Sequence, residues 1–138
     1  MEHKWLLLQM RPRVIHRIPG RLRIHVPALK KVLPEYNDIV DSIFVKSHLP
    51  EGIEQTKVNF ITGNILVNYD LNETNEKHTL NWVFDLKKIA EYIFIKFMDL
   101  EEEKIKTTKE KLLAYFKQIS SNGIIMNKNF TIPDEIWN

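Results

Sequence analysis

The chain has 138 residues, 43% apolar and 28% charged, with a formal net charge of +2 and no cysteine. That fits one packed domain with a short appendage, and the missing thiols exclude disulfides, thiolate metal sites and cysteine nucleophiles together. No apolar run reaches the roughly 18 residues of a membrane span, and the opening apolar stretch from Trp5 to Leu8 is too short for a secretory leader, so the expectation is a soluble, cytoplasmic protein.

Charge is spread unevenly. Residues 1–35 hold eight basic side chains against two acidic ones, and the rest of the chain is net acidic. Such asymmetry suggests a basic face for an anionic partner, with mutual neutralisation inside the fold as the alternative.

In chain order, residues 1–13 read as an N-terminal extension. Val14-Ile15 is a short extended piece leading into Pro19-Gly20, a turn signal. Arg21 to Val26 alternates strictly: Leu22, Ile24 and Val26 face one way, Arg21, Arg23 and His25 the other. That pattern predicts a half-buried strand, ended by Pro27, which has no ladder donor. Ile39, Val40, Ile43 and Phe44 fall at helical spacing and predict a helix from Tyr36 to about His48.

Ile53–Phe60 and Ile65–Tyr69, joined across Thr62-Gly63-Asn64, read as a hairpin. Thr56, Val58 and Phe60 share one face of its first strand, with Gln55, Lys57 and Asn59 on the other. A second helix is expected from Thr79 to about Leu100, with a broad apolar stripe. The run Glu101-Glu102-Glu103-Lys104 reads as linker or helix continuation, and Thr107 with Glu110 as a capping box opening a third helix to Ile119. Beyond Gly123 the chain is either a last strand (Ile124-Ile125-Met126) or a docking tail. The order strand, helix, strand, strand, helix predicts an α+β, ferredoxin-like β-α-β-β-α(-β) sandwich over residues 14–100, with a C-terminal helix and extended tail over 101–138.

Three segments carry a family resemblance: His16-Arg17-Ile18-Pro19-Gly20-Arg21-Leu22-Arg23-Ile24-His25-Val26-Pro27-Ala28-Leu29, then Leu49-Pro50-Glu51-Gly52-Ile53, then Asn59-Phe60-Ile61-Thr62-Gly63-Asn64-Ile65-Leu66-Val67-Asn68-Tyr69-Asp70. Together they resemble a divergent branch of heavy-metal-associated domains. This branch is similar to amino-terminal domains of heavy-metal P-type ATPases. It is also similar to small accessory proteins encoded near metal transporters, some linked to bacterial iron-storage compartments. The resemblance spans roughly Val14 to Asp70 and weakens toward Phe97. It implies the ferredoxin-like fold and a metal-related setting. Metal-carrying members hold a soft metal between two thiolates in the loop after the first strand. Here that loop is Val26-Pro27-Ala28-Leu29-Lys30-Lys31, without a thiol and with two lysines, a poor soft-metal site.

Candidate functional residues fall into three groups. Arg17, Gly20, Arg21, Arg23, His25 and Lys57 are candidates for recognition, with Pro19-Gly20-Arg21 also readable as an anion-binding turn. His25 and His16, with His3, are candidates for holding iron, another metal or haem, although their spacing matches no metal motif. Trp82, Phe94 and Phe97 on the long helix could meet a partner or a membrane surface; core packing is the alternative reading. Nucleic-acid binding is disfavoured, because the strand aromatics Phe60 and Tyr69 fall on the apolar face rather than the basic one. No phosphate loop, nucleophile elbow or zinc-protease motif occurs.

The leading expectation is a non-enzymatic accessory or adaptor protein in metal homeostasis, with iron as the metal. It would bind a transporter or storage-compartment partner and form a homo-oligomer. The alternatives are a haem- or metal-binding module using His25 and His16, and a peripheral membrane protein using helix 79–100.

Overall fold

A computed structural model describes residues 11–138. The leader expectation, most of the N-terminal extension and His3 lie outside the described residues. Four strands form one antiparallel sheet: β1 (Arg13–Ile18), β2 (Arg21–His25), β3 (Ile53–Asn59) and β4 (Asn64–Tyr69), in the order β1-β2-β4-β3. Three helices follow the pattern: α1 (Asn37–Phe44), α2 (Glu76–Met98) and α3 (Glu102–Ser121).

Strand β2 runs through α1 to β3, and β4 inserts between β2 and β3. This is the split βαβ arrangement of a ferredoxin-like fold. The place beside β2 that a last strand would take is held by β1. Pro19-Gly20 joins them as a two-residue turn, with Ile18 paired to Arg21 and Gly20 at φ +81°. Proline before a left-handed glycine is the type II turn pattern. Closing so short a loop costs little chain entropy compared with a return from beyond α3. Residues 124–126 accordingly join no ladder, and the C-terminal segment is a tail.

The inward strand residues Leu22, Ile24, Ile65, Val67 and Tyr69 meet Ile39, Val40, Ile43 and Phe44 of α1 and Val83, Leu86 and Ile93 of α2. Leu112, Phe116 and Ile119 of α3 and Met126, Ile132 and Ile136 of the tail belong to the same core. The extra helix and tail therefore pack on the helical side. Trp137 meets Phe97 edge-on at 5.8 Å and Tyr92 at 6.1 Å, and Phe130 lies against Tyr115 and Phe116.

Element ends differ from the periodicity in explicable ways. Helix α1 stops at Phe44 because its closing turn is satisfied early: Val45 and Lys46 N–H both donate to Asp41 C=O, and Ser47 Oγ donates to Ile43 C=O at 2.7 Å. Thr56 Oγ1 donates to Phe44 C=O, tying the end of α1 to β3. Helix α2 starts before Thr79 because Asn75 caps it, accepting from His78 N–H at 2.9 Å. The acidic run is the first turn of α3, where Glu102 and Glu103 face the positive end of the helix dipole. Thr107 lies inside that helix, so it does not cap it.

The long-helix face needs a correction. Trp82, Phe94 and Phe97 are only 7%, 9% and 4% exposed, and are consumed by the protein's own core. Hydrophobic burial against α1, Tyr36 and the tail satisfies that stripe. Among the described residues, no helix is long and apolar enough to cross a membrane.

Candidate functional site

The sheet has one face against the helices and one free of them. Its outward residues form rows across the four strands, fixed by the register. Nearest the Pro19-Gly20 turn lie Ile18, Arg21, Asn68 and Gln55; next come His16, Arg23, Leu66 and Lys57; last come Arg13, His25, Asn64 and Asn59. Arg13, Arg21, Arg23 and Lys57 are exposed, and Leu66 at the centre is half-buried.

A bulge in β1 decides which side chains join this face. The register shifts between Val14 and His16, leaving Ile15 as the extra residue. Val14 faces inward opposite Ile24. The extra residue then sends His16 outward opposite Arg23 and turns Arg17 toward the helical side, opposite Leu22. There Arg17 Nε pairs with Glu76 Oε1 at 3.2 Å, at the start of α2.

The structure thus gathers Arg21, Arg23, His25, His16 and Lys57 and separates Arg17 from them. It adds Arg13, missed because RVIHRI has no clean alternation to read. Simple period-two counting from Val14 would have put Arg17 outward and His16 inward. Gly20 sits at the turn edge, where its C=O accepts Tyr69 N–H at 2.9 Å, bracing the turn on β4.

Among the described residues, Arg13, Arg21, Arg23 and Lys57 have no ion-pair partner. Polar contacts within the face involve no carboxylate: Asn68 Nδ2 donates to Gln55 Oε1 at 3.2 Å, and His25 Nδ1 lies 2.9 Å from Asn64 Oδ1. With that carbonyl oxygen as acceptor, Nδ1 is the donor. Glu54 is the carboxylate at the margin, in an open hollow shared with Pro19, Gly20, Arg21, Gln55, Asn68 and Tyr69. No Phe, Tyr or Trp ring occupies the three rows, and Tyr69 points into the core.

The loop after β2 does not fit a soft metal. Pro27–Lys31 forms a 3₁₀ turn with Leu29 buried, and Val26, also buried, donates its N–H to Gly63 C=O at 2.7 Å. Lys30 and Lys31 face solvent, and the whole chain contains no thiol. A closed apolar turn with two ammonium groups offers no soft donor and repels a cation. His16 and His25 are diagonal neighbours on adjacent strands, since His16 is opposite Arg23 and His25 opposite Arg13. Among the described residues, no three His, Cys, Asp or Glu side chains gather as a metal site.

Residues 12–132 match the family model described as heavy metal associated domain 2. The match runs through β1, α3 and most of the tail. No curated protein and no solved structure matches the chain significantly.

Proposed function

The chain belongs to the heavy metal associated domain 2 family, and from that premise we propose that it is a non-enzymatic accessory protein of metal homeostasis, iron above all, acting through protein contacts. One observation carries the reading. The loop that holds the metal in carrier members is here a closed turn with buried Val26 and Leu29, outward Lys30 and Lys31, and no thiol. A fold retained without that donor pair has its surfaces left to work with. The most distinctive of these is the open sheet face, with cations that have no ion-pair partner among the described residues. The partner on this reading is a metal transporter or a storage compartment.

The test is complex formation with the cytoplasmic domain of a metal transporter or with a storage-compartment protein from the same source. Wild type should form a stable complex, and the double variant Arg21→Glu, Arg23→Glu should lose it while keeping its fold. An unchanged complex in the double variant removes the sheet face from the account.

A further inference from the structure

The sheet face has a charge pattern that narrows its occupant. Arg21 and Arg23 are two residues apart on β2, so their side chains stand about 7 Å apart along the strand. Arg23 and Lys57 share a row across β4, two strand spacings or roughly 10 Å apart. Leu66 lies between them, half-buried, with cationic groups on both sides.

A second copy of the same face is a poor occupant. A two-fold interface sets each patch against itself, and this would place Arg13, Arg21, Arg23 and Lys57 against the same four cations. Like charges brought together at an interface cost several kcal/mol and are a common means of rejecting wrong partners. Single-stranded nucleic acid fits less well, because its binders stack successive bases on broad aromatic platforms and these rows carry no Phe, Tyr or Trp, the imidazole of His16 being their one exposed ring.

We propose that the open sheet face docks a carboxylate-rich surface of a different protein, centred on the row of His16, Arg23, Leu66 and Lys57. This rests on the accessory reading and names its partner's chemistry. The partner surface presents acidic side chains about 7 Å apart in one direction and about 10 Å in the other, with an apolar side chain between them to cover Leu66. Arg21 engages from the neighbouring row. Arg17 takes no part, because it faces the helical side and pairs with Glu76.

The experiment uses the full chain, isotope-labelled, titrated with a glutamate-rich peptide carrying spaced leucines. An oligouridine and phosphatidylserine vesicles serve as competing probes. Peptide-induced amide shifts should concentrate on β2, β4 and Lys57. The variant Arg23→Glu, Lys57→Glu should weaken binding by about tenfold or more. The variant Lys104→Glu, Lys106→Glu changes net charge equally on the exposed side of α3 and should bind as wild type. Equal loss in both variants, which would show bulk charge attraction, overturns the proposal. So does tighter face-dependent binding of oligouridine or vesicles, or self-association abolished by Arg23→Glu, Lys57→Glu. Failure here leaves the accessory reading standing on another surface, whereas a stoichiometric bound metal defeats that reading and leaves the face untouched.

Discussion

Gly20→Ala separates the structural role of the Pro19-Gly20 turn from a role in recognition. Gly20 has φ +81°, and a Cβ there would stand 3.1 Å from the Tyr69 carbonyl oxygen. An L-residue in left-handed backbone costs roughly 1–2 kcal/mol, against about 0.4–1 kcal/mol gained by stiffening the unfolded chain. The contact adds to the cost, because the Tyr69 peptide is held in the ladder and its own N–H donates to Gly20 C=O at 2.9 Å. The net loss is on the order of 1–2 kcal/mol, a fall in melting temperature of about 3–8 °C for a domain of this size. Urea denaturation followed by circular dichroism measures it, with the slope unchanged. Binding at the sheet face should be as in wild type once the variant is folded. A variant as stable as wild type would refute the braced left-handed turn. A stable variant with lost binding would show that the turn itself recognises the partner.

Phe116→Ala, at a side chain only 2% exposed in α3, should cost about 3–5 kcal/mol and leave one cooperative transition; a cost below about 1 kcal/mol would separate α3 from the core. Arg17→Ala should cost only about 0.2–1 kcal/mol, because the Arg17–Glu76 pair is largely solvated, and should leave sheet-face binding intact; lost binding would place Arg17 in the site. Burial pushes the Asp41 carboxyl up, Lys46 opposes this and Asp38 adds to it. The folded state therefore holds the Asp41 proton more tightly than the unfolded chain. That stabilisation is complete below the unfolded value of 3.8 and is lost as pH rises through the folded one. Asp41→Asn should accordingly raise the melting temperature near neutral pH and lose that advantage in acid; a variant less stable near neutrality would contradict the sign.

The sheet interior was legible because its strands alternate cleanly. Leu22 and Ile24, then Ile65 and Val67, face inward as their spacing demands. The role of β1 was hidden by its bulge at Ile15, which breaks period two in a six-residue edge strand whose side chains are mostly exposed. Without β1 in the sheet, the fourth strand had to be sought at residues 124–126, but the β2 edge it would have joined is held by β1. The start of α3 was obscured because a charge run has no apolar period, although its carboxylates suit a helix N-terminus. At the site, Arg21, Arg23 and His25 could be grouped from one strand alone. Lys57 could be put with them from the alternation of its own strand, and the β2-β4-β3 register gives it its row with Arg23; Arg13 emerged only from pairing with His25. The inward turn of Phe94 and Phe97 rests on Tyr36 and on Trp137 of the tail, whose docking no local pattern announces.

Native mass spectrometry of the freshly purified chain, after equilibration with iron(II), zinc, copper(I) and haem in turn, tests most directly whether the protein works without a bound metal. The account predicts the bare polypeptide mass in every case. A stoichiometric metal or haem adduct lost on His25→Ala would contradict it and give the histidines the role assigned here to the sheet surface.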